Sequence, residues 1–185
     1  YFRLMNKFKV LTSKSYGFLT IVDNNNPNAV PDLNLQKRLG IDENFELSYE
    51  AEKVQLTLFN DLQWNRYRYD DDTYNSSPLY NSLGVSVRLK LSPLEMYIRL
   101  SDDFRKGYAT SEMNGHKLMS MASISYGFCK NKCRLSLFVD DIFNNDIWYY
   151  NDYSAFQRTE SSTNYIHHYA NLTFSYRFDA KAKKK

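Results

Sequence analysis

Apolar and polar residues alternate along most of this chain, most cleanly between residues 33 and 49. Odd positions there hold Leu33, Leu35, Lys37, Leu39, Ile41, Glu43, Phe45, Leu47 and Tyr49. The even set, Asn34, Gln36, Arg38, Gly40, Asp42, Asn44, Glu46 and Ser48, has no apolar side chain. A period of two sustained this long excludes a helix. It also outruns the usual strand of about 5–6 residues in a globular protein. A strand crossing a bilayer obliquely takes about 9–11 residues, and the segment suits that.

The alternation recurs six more times. Val54, Leu56, Leu58, Leu62 and Trp64 oppose Gln55, Thr57, Asp61, Gln63 and Asn65. Leu83 to Leu91, Leu94 to Leu100, Leu118 to Phe128 (blurred by Met119 and Met121), Leu135 to Val139 and Ala170 to Phe178 follow the same rule. Phe8 to Val22 is also rich in β-formers, but Leu11, Leu19 and Ile21 break its parity, and a bulge near Ser15 to Gly17 would repair it. The pattern predicts about eight strands and a stub at Tyr1.

Short connections at Glu50 to Lys53, Leu91 to Leu94 and Cys129 to Cys133 alternate with long polar ones. The long ones fall near Asp23 to Asp32, Arg66 to Leu79, Phe104 to His116 and Asn144 to Asn164. Short turns on one rim and long loops on the other are the arrangement of outer-membrane barrels. A soluble sandwich has no reason to sort its loops this way. The fold expected is therefore all-β: an antiparallel meander forming a transmembrane β-barrel, or the C-terminal segment of one.

Periodicity alone does not say which face meets water. Aromatics cluster at the strand ends (Tyr49, Trp64, Tyr67, Tyr69, Tyr80, Phe104, Tyr108, Phe143, Trp148, Tyr149, Tyr150), where interfacial girdles belong. The polar set carries Arg88, Lys90, Arg99, Arg134, Asp140 and Arg177, which suit a wet lumen. Both features put lipid on the apolar side.

Composition narrows the field further. The 185 residues include 16 Tyr and 12 Phe, and no stretch approaches the roughly 18 apolar residues of a membrane-spanning helix. A net charge of +3 does not point to nucleic acid. Tyr1 to Met5 already reads like the end of a strand, so the chain is expected to be a piece of something longer. Residues 1–178 are expected to form barrel strands, and Asp179 to Lys185 a basic periplasmic tail.

The run HHYANLTFSYRF, ending at Phe178, resembles the closing strand of outer-membrane barrels. With RLSLFVDDIFNN (Arg134 to Asn145), it is similar to the C-terminal barrel region of TonB-dependent receptors and of the outer membrane protein β-barrel family. In those families a strand ending in Asp-Ile-Phe-Asn, here Asp141 to Asn144, precedes a long loop and a closing Tyr-Arg-Phe strand, here Tyr176 to Phe178. The two motifs span about the last 45 residues, and the charged residues Asp179 to Lys185 after the final aromatic depart from the family pattern. The resemblance implies a Gram-negative outer membrane and contact with its lipid and lipopolysaccharide. It also implies recognition of the last strand by the barrel-assembly machinery, and further strands plus an N-terminal plug elsewhere in the parent chain. Uptake of a bulky nutrient, of the siderophore or glycan class, would follow. The alternative is a small independent structural or adhesive barrel without transport.

Candidate chemistry is sparse. Cys129 and Cys133 flank a short turn, where either a cross-strand disulfide or two free thiols fits. His167 and His168 lie near Ser161 and Ser162 but lack an orienting acid or oxyanion donor at a recognisable spacing, so no enzyme is expected. Asp70, Asp71 and Asp72 lack the ligand spacing of a Ca²⁺ loop and read as a solvated acidic loop; no metal or cofactor is expected. Trp148, Tyr149, Tyr150, Tyr153 and Phe156 in the last long loop would suit stacking on a sugar or clamping a ligand.

Overall fold

In a computed structural model the alternating segments pair in chain order, each with the next. The structure describes residues 1–19, 32–70, 72–130, 132–145, 148–155, 157–163 and 168–178. The expected basic tail at 179–185 lies outside them, as do Asp71, Phe156 and His167. Seven strands, β1 (Phe2–Leu19), β2 (Asp32–Glu50), β3 (Val54–Arg68), β4 (Leu79–Leu91), β5 (Leu94–Lys106), β6 (Gly115–Phe128) and β7 (Cys133–Asp140), form an antiparallel meander. A separate hairpin follows, β8 (Trp148–Tyr153) with β9 (Arg158–Thr163), before β10 (Tyr169–Tyr176) returns to pair with β7. The eight-stranded sheet is not closed: β1 and β10 are its two edges.

Three details differ from the sequence expectation. The first five residues are not a separate stub, because β1 pairs with β2 without interruption from Phe2 to Leu19. That unbroken ladder leaves no place for a bulge at Ser15 to Gly17. Leu11 instead turns to the polar face, where Gly40 opposite has no side chain; a Cβ there would lie 3.4 Å from the Leu11 Cβ. The last long connection also holds the β8–β9 hairpin, whose alternation is masked by aromatics on both of its faces.

The registers stack side chains into rows across the sheet. Val54, Leu89, Met96, Ile124, Leu137 and Leu172 lie directly opposite one another, strand to strand, on one face. The row turned the other way runs Lys90, Glu95, Ser125, Ser136 and Thr173. Every short turn falls at one end of the sheet, between β2 and β3, β4 and β5, and β6 and β7.

Burial on the two faces is inverted relative to a water-soluble protein. Leu47 is 38% exposed, Val85 42%, Leu137 39% and Phe174 61%. On the polar face Asn34, Gln36, Ser48, Ser82, Ser101 and Asp103 are buried. Placing polar side chains inside costs free energy unless they are hydrogen-bonded, and several are. Ser82 Oγ donates to Asp103 Oδ1 at 2.7 Å, Tyr80 Oη to Asp103 Oδ2 at 3.0 Å, and Gln36 Nε2 to Tyr69 Oη at 2.8 Å.

Phe59 is buried on the polar face. It lies over Gly84, and a Cβ there would come within 2.3 Å of the ring and 2.6 Å of the Leu100 carbonyl oxygen. The Arg99 guanidinium covers the other side of the ring at 3.9 Å from its centroid. Glycine is required at 84 by this close approach, and the stack fixes Arg99 over the sheet.

Candidate functional site

The polar face and the hairpin folded against it form the candidate site. Within β8 and β9 one face carries Tyr149, Asn151 and Tyr153 opposite Ser162, Glu160 and Arg158. This face is turned to the sheet. Tyr153 stacks on Tyr67 of β3, centroids 4.6 Å apart and 18° between planes. Tyr149 takes the Arg105 guanidinium of β5 on its ring at 4.2 Å and the Lys117 ammonium of β6 at 5.7 Å. Its hydroxyl donates to the Glu112 carbonyl oxygen at 2.8 Å. At the hairpin tip, Asn34 Nδ2 of β2 donates to the Ala155 carbonyl oxygen at 2.8 Å. Tyr67, Arg105, Lys117 and Asn34 all belong to the polar face. The hairpin thus lies across the inner side of the sheet, near the long-loop rim, touching β2, β3, β5 and β6.

A carboxylate fastens it. Glu160 accepts hydrogen bonds from the Tyr153 hydroxyl, from Arg158 Nη2 at 2.7 Å and from the Thr110 backbone N–H at 2.9 Å, with 5% of its side chain exposed. Burial raises the pKa of this carboxyl, but the three donors outweigh it and hold it below the ordinary range. Burial and the bond to Glu160 push the Tyr153 hydroxyl well above the usual tyrosine range. The signs give a window. Glu160 contributes stability above its unfolded pKa near 4.5, lost as pH falls through the depressed folded value; Tyr153 contributes below its unfolded pKa near 10, lost as pH rises. Amide exchange across residues 148–163 is therefore expected to stay slow at neutral pH and accelerate as the pH falls below the ordinary carboxylate range, after correction for intrinsic rates. In Glu160→Gln the acid-side acceleration should disappear; an unchanged acid limb would assign it to another group.

The other face of the hairpin presents Trp148 and Tyr150. Trp148 and Tyr150 are exposed and stack on each other at 6.0 Å with 20° between planes. Of the five aromatics singled out in the sequence, Phe156 lies outside the described residues, Tyr149 and Tyr153 anchor the hairpin, and Trp148 and Tyr150 are presented away from the sheet. The expected aromatic girdle is split in the same way. Tyr49, Trp64 and Phe104 lie on the apolar face, while Tyr67 and Tyr80 turn to the polar face. Sequence parity identifies Tyr67 as inward, on the side of Gln63 and Asn65; grouping it by position alone missed this.

The six charged residues expected in a lumen, Arg88, Lys90, Arg99, Arg134, Asp140 and Arg177, share the polar face. By register the five within strands share the face of Gln55, Glu95, Ser86, Ser175 and Met121, and Arg177 continues the parity of Ser175. An open trough of about 430 Å³ on this face is lined by Arg3, Glu46, Asp61, Arg88, Tyr97 and Arg99 among others.

Of the two alternatives for Cys129 and Cys133, the structure has two thiols, one exposed and one buried. Phe128, not Cys129, stands opposite Cys133, and Cys129 is already inside the turn with a φ of 52°. His168 Nδ1 lies 2.7 Å from the Asp141 carbonyl oxygen. Asp70 accepts the Leu35 N–H at 3.0 Å and Asp72 the Asn75 amide at 2.6 Å, so both acidic side chains are used in loop structure. Among the described residues no cluster of three His, Cys, Asp or Glu side chains is arranged to hold a metal ion.

Compared with protein-family models, with curated proteins and with solved structures, the chain matches none.

Proposed function

We propose that this chain is part of a transmembrane β-barrel of the Gram-negative outer membrane, its apolar face against lipid and its polar face lining the lumen. The inverted burial carries this reading. A sheet that exposes Leu47, Val85, Leu137 and Phe174 and buries Gln36, Ser82 and Ser101 is unfavourable in water. In a bilayer the same arrangement is favourable.

The hairpin argues about size. A closed barrel of eight strands, spaced about 4.8 Å and tilted about 40°, is roughly 16 Å across and is filled by its own side chains. A β-ribbon inside needs a packing distance of about 10 Å to the wall on each side, roughly 20 Å in all. With β8 and β9 on the polar face, the eight strands do not suffice, and at least about ten are required. This favours a large barrel over the small independent structural or adhesive one. Within that class, the Asp141 to Asn144 and Tyr176 to Phe178 motifs support the C-terminal barrel region of a TonB-dependent receptor, importing a bulky nutrient such as a siderophore or glycan. Trp148 and Tyr150 would then face the substrate path.

Fractionation of cells expressing the full-length parent tests the membrane assignment. The protein is expected to stay with the outer membrane through alkaline carbonate washing and to leave it only in detergent. Recovery in the carbonate supernatant would overturn the assignment.

A further inference from the structure

The apolar face is interrupted at mid-depth. Six residues in from the short-turn end, a strand tilted about 40° has risen about 15 Å. The lipid-facing band of such barrels is about 25 Å tall, so this count falls near its middle. Six strands of the sheet carry apolar side chains there: Phe8, Val85, Leu100, Ala122, Val139 and Ala170. They are counted from Phe2, Leu91, Leu94, Phe128, Cys133 and Tyr176, the residues of that face nearest the short turns. The remaining two strands break the pattern. Counted from Tyr49, β2 has Glu43, and counted from Val54, β3 has Asn60.

Glu43 and Asn60 are neighbours. Glu43 stands opposite Leu62 and Asn60 opposite Phe45, so the two lie on a diagonal across β2 and β3. Diagonal pairs of this kind are about 7–8 Å apart. The Glu43 carboxylate accepts a hydrogen bond from Asn6 Nδ2 of β1 at 3.3 Å. Asn60 makes no side-chain hydrogen bond among the described residues. A carboxamide left unpaired in hydrocarbon is costly. No further strand of the parent can reach it within the sheet, because β3 already has β2 on one side and β4 on the other. A partner for Asn60 has to approach from outside, on the side of the apolar face.

We infer that this part of β2 and β3 is an interface with a second copy of the parent chain, packed against it within the membrane. The inference rests on the apolar face being the outer, lipid side of the barrel. Two copies inserted the same way are related by a twofold axis along the membrane normal, so each residue meets residues at its own depth. Glu43 and Asn60 share a depth and lie side by side. The rotation therefore brings the Asn60 carboxamide of each copy to the Glu43 carboxylate of the other, a donor to an acceptor twice over. Phe45, directly opposite Asn60 and two residues from Glu43, lies beside the axis, where the rings of the two copies pack. An unrelated partner would need its own matching donor and acceptor at this depth. A second copy already carries them.

Cross-linking of the full-length parent in native outer membranes provides the test, with copper phenanthroline as oxidant and Cys129→Ser/Cys133→Ser as background. Phe45→Cys should give a disulfide-linked band at twice the mass of the parent. Leu100→Cys, at the same depth on β5, should give none. Adding Glu43→Leu/Asn60→Leu to Phe45→Cys should abolish the doubled band and keep the heat-modifiable folded band, since it takes polar groups off the lipid face. Wild type needs no substitution: excised with its lipid into polymer nanodiscs, it should show twice the monomer mass. A monomer there, or an adduct of any other mass at Phe45→Cys, would overturn the interface while leaving the barrel in the membrane pellet. Loss of the protein from carbonate-washed membranes would instead strike the membrane reading beneath it.

Discussion

Leu172→Arg in the full-length parent should cost about 2–4 kcal/mol of barrel stability, and Thr173→Arg beside it should cost little. The two positions are adjacent in β10 and face opposite ways. Leu172 ends the apolar row that begins at Val54, with Leu137 directly opposite, and β10 pairs there without a break. Thr173 ends the polar row through Ser136, Ser125 and Glu95, where a guanidinium stays among polar groups or water. The register puts Phe174 opposite Leu135, only two residues from the start of β7, so Phe174→Arg should cost less than Leu172→Arg. The folded, heat-modifiable band in outer-membrane fractions, followed through urea, measures all three. Equal losses at Leu172 and Thr173 would mean the faces of β10 are assigned wrongly, because a one-residue slip exchanges them.

Release of the hairpin is the second large effect. Tyr149→Ala/Tyr153→Ala removes the ring under Arg105 and the stack on Tyr67 together. An aromatic pair contributes about 0.5–1.5 kcal/mol beyond burial and a shielded cation–π contact about 1–2. The loss should total about 2 kcal/mol or more, raising the open population roughly thirtyfold. Deuterium uptake by peptides from residues 148–163 should rise accordingly, while peptides from β4 and β5 remain protected. Trp148→Ala/Tyr150→Ala, on the other face, should leave uptake nearly unchanged. If the two double variants behave alike, the hairpin is not held by the face assigned here.

Much of the sheet was legible in the sequence because a strand with unlike faces writes its period into the chain. Seven of the sheet's eight strands correspond to alternating segments and β1 to a β-rich segment of broken parity, and the sorting of short and long connections gave their order. What escaped has physical causes. The parity of β1 looked broken because Leu11 is tolerated opposite Gly40, a cross-strand fit that no single segment displays. Strands β3 and β5 run to Arg68 and Lys106, further than the apolar pattern, because backbone pairing continues after the side chains cease to alternate between oil and water. The hairpin was hidden because Trp148, Tyr149 and Tyr150 supply aromatics to both of its faces, so no alternation remains to be seen. The fastening carboxylate Glu160 had no local motif at all; its partners Thr110, Tyr153 and Arg158 converge only in three dimensions.

The excursion between β7 and β10 also sets an order of events in folding. The short connections within the meander close hairpins of neighbouring residues; the four residues 129–132 that join β6 to β7 are typical. Joining β10 to β7 means closing residues 141–168 first. Ring-closure entropy grows with the logarithm of loop length, so this step is disfavoured by roughly 2 kcal/mol more than the turn before it. Pairing of β8 with β9 beforehand takes residues 148–163 out of the free loop and recovers part of that difference. The strand bearing Tyr176 is therefore expected to zip last, onto a meander already assembled, with the hairpin as the nucleus that draws its two ends together.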